Sequence, residues 1–326
     1  MNASYELRLF LLCGEVFFLV HLSLGLLVHL LTPRALLLAG RMQARQGASF
    51  LFVMRILPFL ASLFFVLCLC LPCYLLLEPD HAVEQVGYVC VGLTIIVTLQ
   101  FLAALRRGLS AVCRSWRYRT ACQRAATTRM IEGEPTAVWE IPAPSPFLAV
   151  AGITRPQLIA SDKLLQLLSL DELKVALQHE HAHTASRDNL KRLVLLTLPR
   201  LLPGMNDFER LEHAWSCTSE RSADEAAIKG DPQRGLLLAA ALVRIAKWNR
   251  PAQPGLLLSC IMTDGLEFSA RVNFLLGRNI ESKRVGPTTG WVLALIVICP
   301  ITLGLLLVTH PNTLLNAFEL LEISLR

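Results

Sequence analysis

Residues His179-Glu180-His181-Ala182-His183 contain the pattern H-E-x-x-H. The chemistry such residues can do is metal-assisted hydrolysis, provided that they lie on a helix. Side chains four apart then project from the same face, so the imidazoles of His179 and His183 can share one zinc ion. Glu180, beside the first of them, is placed to reach a water at the metal and act as general base. His181 is about 200° around the helix from His179 and is not expected to be a ligand. The pattern alone should arise by chance in roughly one chain in a hundred of this length, from residue frequencies. Its surroundings therefore decide its meaning.

Those surroundings supply the helix. Ser169-Leu170-Asp171-Glu172 has a Ser followed three residues later by Glu, the signature of a capping box. The helix that it starts runs through Leu173, Ala176 and Leu177 into the motif. A catalytic zinc usually has three protein ligands and one open position, so a third ligand is expected from another element. The stretch Trp215 to Ala227 has good helix formers and is followed by Gly230; Glu220 and Asp224 share a face there. Glu220 completes a His-His-Glu set. Asp224 can accept a hydrogen bond from the outer nitrogen of a ligand histidine and fix its tautomer, and Asp188 is a second candidate for that task. His213 is a candidate for polarising a substrate carbonyl.

These elements sit in an unusual chain. It has 326 residues, of which 54% are hydrophobic and 17% charged, with a net charge of +6. Ordinary soluble domains have roughly 45–50% apolar and about 25% charged residues. The apolar excess falls into long blocks, and the charge lies between them. The positive charge is local, so direct nucleic-acid binding is not expected. Ten cysteines are present, mostly inside apolar blocks, where Cys behaves as a small hydrophobe. No disulfide framework is expected. Cys70 and Cys73 form a C-x-x-C, but at the end of an apolar block rather than after a strand.

About 20 apolar residues cross a bilayer as a helix. Four blocks qualify, roughly Leu9–Leu31, Ile56–Leu77, Val86–Leu105 and Trp291–Thr309. The loop Thr32 to Ser49 carries three arginines and no acid, Glu78 to Gln85 carries three acids and no Lys or Arg, and Arg106 to Arg129 carries seven arginines. Basic short loops stay in the cytoplasm. Both termini are then outside, and the polar residues between the third and fourth blocks are inside. His21, Gly25 and His29 share one face of the first block, and Arg55 is expected to snorkel to the interface. The arginine-rich stretch with Trp116 and Tyr118 either lies on the anionic leaflet or continues the third span as a solvated helix.

The expected architecture is therefore a four-span α-helical membrane protein with an inserted α+β zinc-metallopeptidase domain, gluzincin-like. Residues 1–129 form three spans with a basic segment, 130–289 the cytoplasmic domain, and 290–326 the fourth span and a tail. The domain should open with a loop, Glu134 to Pro146. Two strands should follow, at Phe147–Ala151 and Gln157–Ala160, with a short helix starting at Ser161. The strand Phe147–Ala151 could present an edge for an extended substrate.

H-E-x-x-H, Asp188 five residues on, and E-x-x-A-D about forty residues later resemble the BlaR/MecR-type membrane metallopeptidases, the beta-lactam sensor-transducers of bacteria. Pro146, Gly152, Pro156 and Ile159 look like that family's strand pair, and the span layout is similar. The resemblance implies a zinc endopeptidase in the bacterial inner membrane. It also implies regulatory proteolysis of a protein substrate such as a transcriptional repressor, with membrane lipid and a second copy of the chain as further partners. It implies that Arg271 contacts the third ligand or the transition-state oxyanion. The antibiotic sensors carry a large extracellular domain after the fourth span; here about sixteen residues follow, from Pro311 to Arg326, so beta-lactam sensing is not expected of this stretch. Prenyl-protein and heat-shock membrane proteases share the H-E-x-x-H and E-x-x-x-D pairing and are the nearest alternative layout. A non-catalytic transducer with a structural metal is the alternative from another class.

Overall fold

Helix length organises the protein. The computed structural model describes residues 5–77, 87–134, 136–200, 206–248, 259–260 and 265–277. Helix α1 (Tyr5–Arg41) has 37 residues, α2 (Ala44–Phe65) continues through a π-helical segment (Val66–Cys70) into α3 (Leu71–Leu77), and α4 (Tyr88–Ala125) has 38 residues. At 1.5 Å per residue, α1 and α4 are each about 55 Å long, against a hydrocarbon core of about 30 Å. Three stretches are long and apolar enough to cross a membrane, namely Tyr5–Arg41, Ala44–Leu75 and Tyr88–Ala125. Among the described residues the candidate spans thus number three rather than four; the expected fourth, Trp291–Thr309, lies outside them, as does the loop Glu78 to Gln85.

The surplus length is where the sequence expectation fails. Thr32 to Ser49 is not a loop but helix on both sides of a tight turn at Met42 and Gln43. Its arginines, Arg34, Arg41 and Arg45, are exposed, while Ala35, Ala39, Met42 and Ala48 are buried. Gly47 lets this turn close: a Cβ there would meet the Ala39 carbonyl oxygen at 2.9 Å. For the arginine-rich stretch the second of the two expected alternatives holds: it continues α4 as helix, to Ala125.

The remaining described residues form a small mixed sheet and further helices. The strands are β1 (Thr127–Arg129), β2 (Val138–Ile141), β3 (Leu148–Ala151), β4 (Gln157–Ser161) and β5 (Ser259–Cys260), in the order β1-β2-β4-β3-β5. Only β2 and β4 run parallel. The segment expected as loop therefore contains β2, and β3 is no free edge, since it pairs β4 on one side and β5 on the other. The helices are α5 (Asp162–Leu167), α6 (Leu170–Ser186), α7 (Asp188–Thr197), α8 (Asp207–Ile228), α9 (Pro232–Trp248) and α10 (Gly265–Leu275). Leu148, Val150 and Leu158 of the sheet pack with Val175, Ala176 and Leu177 of α6 and Leu238 and Leu242 of α9.

A second core joins the long helices to α7 and α8. Ala35, Ala39, Met42, Leu51 and Met54 pack with Leu195, Phe208, Leu211 and Trp215. Arg55 belongs to this seam and does not snorkel. It is buried, its Nε donates to Glu212 Oε1 at 2.8 Å, and its guanidinium lies 4.3 Å above the Phe208 ring. His29 Nδ1 meets Asp207 at the start of α8, and His21 is buried and stacked on Phe17.

Candidate metal centre

Helix α6 begins as its sequence specifies. Ser169 Oγ accepts from Glu172 N, and the Glu172 carboxylate accepts from Ser169 N, closing the capping box. Leu173, Ala176 and Leu177 hold one face in the core, and His179, Glu180 and His183 are buried one to two turns later. The helix ends at Arg187, which adopts the left-handed conformation (φ 53°, ψ 40°) and turns the chain directly into α7. That sharp turn folds Asp188 back toward His183.

Helix α8 crosses α6 and brings Glu220 to the two histidines. His179 Nε2 and His183 Nε2 are 3.1 Å apart. Glu220 Oε2 is 3.5 Å from His179 Nε2, and Glu220 Oε1 is 3.5 Å from His183 Nε2. A tetrahedral ion with bonds of about 2.0–2.1 Å holds its ligand atoms about 3.3 Å from one another. The two Glu220 oxygens thus face the two imidazole nitrogens at close to that spacing, and the buried His179, His183 and Glu220 group could bind one metal ion.

The outer nitrogens are held as well. His183 Nδ1 is 2.7 Å from Asp188 Oδ2, which also accepts from Ser219 Oγ at 2.6 Å. His179 Nδ1 is 2.9 Å from Asp224 Oδ1, an ion-pair contact too bent for a good hydrogen bond. Both Nε2 atoms are thereby left to the metal side. Arg271 of α10 donates to Asp224 from Nε (2.9 Å) and Nη2 (2.7 Å), and its Nη1 lies 3.1 Å from Glu220 Oε2. Arg192 of α7 reaches Glu220 Oε1 at 3.5 Å.

These charges shift one another. Burial alone would raise the Glu220 carboxyl, but the facing His183, His179 and Arg271 hold it well below the usual range. Asp224 is lowered against its own burial by Arg271 and His179, and Asp188 against its burial by His183 and Ser219. Burial disfavours a charged His183, yet Glu220 and Asp188 raise it to about 10; His179 is raised by Asp224 and Glu220 in the same way. Burial pushes Glu180 up to about 7, with His183 and His179 opposing. Both carboxylate oxygens of Glu180 are buried without a hydrogen-bond partner.

Of the residues expected at the site, His179, Glu180, His183, Glu220, Asp224, Asp188 and Arg271 come together. Arg271 touches the third ligand rather than open space. His213 does not join them: it is exposed, two turns before Glu220 on α8, with Cys217 as a neighbour. His181 points elsewhere, to Glu134 and Thr136. Sequence reasoning missed Ser219 and Arg192. Ser219 has no local signal; Arg192, four residues after Asp188, is a cation at helical spacing from a site residue.

Comparison of the chain with protein-family models and with curated proteins returned no match to either.

Proposed function

We propose that this chain is an integral membrane zinc endopeptidase that cleaves a protein or peptide substrate at the cytoplasmic face of a bacterial inner membrane. One observation carries this reading. A buried two-histidine, one-glutamate triplet at metal-ligand spacing stands beside a buried Glu180 whose two oxygens have no protein partner. A buried polar group left unpaired costs stability, and its place next to the triplet gives it work on a proton there.

Two imidazoles and a carboxylate form a donor set suited to zinc. Zinc in that set supplies a Lewis acid that polarises a peptide carbonyl and acidifies water. The chain's own residues do the rest. Asp188 fixes the tautomer of His183 through the hydrogen bond at Nδ1, and the Asp224 charge faces His179 Nδ1. Glu180 takes a proton from the attacking water as its oxygen bonds to the carbonyl carbon, and the carbonyl π pair moves onto its oxygen. When the C–N bond breaks, its electron pair stays on nitrogen, and Glu180 returns the proton there. A carboxylic acid and an amine leave.

The arginine-rich segments between the apolar blocks support the cytoplasmic placement, and a repressor is one substrate accessible from that side. A structural metal in a non-catalytic transducer is usually closed by four ligands; the group found among the described residues has three, which favours the enzyme. The test is Glu180→Gln in the full chain. Metal analysis should return one zinc per chain for wild type and variant, while comparison of cleaved termini in cells should show products only with wild type. Retained cleavage would defeat the role of Glu180, and absence of zinc would defeat the reading.

A further inference from the structure

Cys70-Leu71-Pro72-Cys73 is a motif that the metal group does not use. Residues on consecutive helical turns have Cβ atoms about 5–6 Å apart, and a disulfide needs about 3.5–4.5 Å, so Cys70 and Cys73 are badly placed to join. Cys70 Sγ instead lies 3.9 Å from Cys13 Sγ of α1, 57 positions away. Closing that gap to the length of an S–S bond asks each sulfur to move by about 1 Å. The local backbone sets this meeting. Pro72 has no N–H to give the Cys68 carbonyl oxygen, the bond that an α-helix would make there, and the helix just before it is the π-helical segment Val66–Cys70. Pro58, Ser62, Cys70 and Tyr74 are buried at steps of four, with the half-buried Val66 between. Steps of four drift about 40° per turn around an α-helix. The wider π turns take up part of that drift, so Cys70 keeps the face that α1 covers. Leu12, Val16 and Tyr74 pack around the pair, and Tyr74 Oη donates to the Tyr5 carbonyl oxygen at 3.2 Å. The two thiols differ in access: Cys70 is buried and Cys13 half-buried.

We propose that Cys13 and Cys70 form a modification site, a thiol pair that hydrogen peroxide oxidises to a disulfide between two candidate membrane-spanning helices. The inference does not rest on the peptidase reading. The more accessible Cys13 reacts first. Its sulfur electron pair forms an S–O bond, the peroxide O–O bond breaks, and the thiol proton leaves with the departing hydroxide as water, giving a sulfenic acid. Cys70 then attacks the sulfenic sulfur. The S–S bond forms, the S–O bond breaks, and the Cys70 proton leaves with that hydroxyl as a second water. The two thiols lose two electrons, and one peroxide is reduced to two waters. The link fastens α1 to the π-helical segment at the end of α1 away from the turn that packs on α8.

The test treats the full chain in phospholipid vesicles with hydrogen peroxide, alkylates the remaining thiols in denaturant, and maps linked peptides by mass spectrometry. A cross-link between the Cys13 and Cys70 peptides should be recovered from wild type. It should vanish in Cys13→Ser and persist in Cys73→Ser. In Cys70→Ser, which removes the second thiol, dimedone present during oxidation should label Cys13 as the trapped sulfenic acid. A wild-type chain unfolded in dodecyl sulfate before oxidation should lose the preference for this pair. Free thiols at both positions in the folded wild type would overturn the proposal. So would a Cys70–Cys73 link in its place, or Cys13–Cys70 pairing as frequent in the unfolded chain as in the folded one. These deciding readings come from the wild-type chain, so a variant that fails to fold cannot mask the answer.

Discussion

Replacing Asp224 by Asn separates two jobs that one carboxylate performs. Asp224 is fully buried, faces His179 Nδ1 at 2.9 Å, and accepts two N–H groups of Arg271 at 2.9 and 2.7 Å. The Asn carbonyl can still face His179, but it brings no charge, and its NH2 opposes one Arg271 donor. Arg271 is then left to Glu220, 3.1 Å away, and draws that carboxylate from the metal. Loss of a partner behind a metal ligand typically costs 10–100-fold in affinity, about 1.4–2.7 kcal/mol. Breaking one side of a buried pair costs about 3–5 kcal/mol of folding stability. Zinc affinity should be read by competition with a chromophoric chelator, and stability by thermal unfolding of the metal-free protein so that zinc linkage does not enter. The control is Glu140→Gln, which breaks the Arg129–Glu140 pair at 3.3 Å; those side chains are 54% and 24% exposed. That change should cost at most about 1 kcal/mol and leave zinc binding untouched. Zinc affinity of Asp224→Asn within threefold of wild type would refute the reasoning.

Three further outcomes are expected, two from the titration of the site histidines and one from the turn at Gly47. Ligation needs neutral imidazoles, while His183 titrates at about 10 in the metal-free protein and His179 is also raised. Zinc binding should therefore release protons, and affinity should fall as pH drops from about 10 through neutrality; calorimetry in buffers of different ionisation enthalpy measures this. The raised pKa of His183 also stabilises the metal-free fold fully below about 6.5, the unfolded value, and that contribution is lost as pH rises through about 10. Gly47→Ala puts a Cβ 2.9 Å from the Ala39 carbonyl oxygen and 3.3 Å from Thr218 Cγ2. Overpacking there should cost about 1–3 kcal/mol in thermal unfolding.

What could be read from the sequence was local. The capping box at Ser169, the i, i+4 pairs His179/His183 and Glu220/Asp224, and the apolar blocks all declare themselves within one or two turns. The strands at Leu148 and Gln157 were bounded by Gly152 and Pro156. The misreadings were non-local. Arg34, Arg41 and Arg45 looked like a loop because the small residues packing α1 and α2 onto α8 are alanines, which carry little hydropathy signal. Arg55 looked like an interface residue because its partner, Glu212, lies 157 positions away. Strand β2 is four residues long within a Pro-rich stretch, too short for alternation to show. The pairing of β5 with β3 joins segments more than a hundred residues apart, so β3 looked like an edge.

The seam between the long helices and α8 changes what counts as the metal-site unit. Leu195, Leu198, Phe208, Leu211 and Trp215 are each at most 6% exposed, and their cover includes Ala39, Met42, Leu51 and Met54. Cutting the chain after Ala125 to obtain a water-soluble fragment would strip that cover. At about 1.5–3 kcal/mol per large apolar side chain, complete exposure of the five would cost roughly 7–15 kcal/mol, comparable with the entire stability of a typical domain. The same helix carries Glu220 and Asp224, so the fragment would lose the alignment of its third ligand along with its core. The smallest piece that keeps this metal-site geometry therefore includes the candidate membrane-spanning helices as part of its own interior.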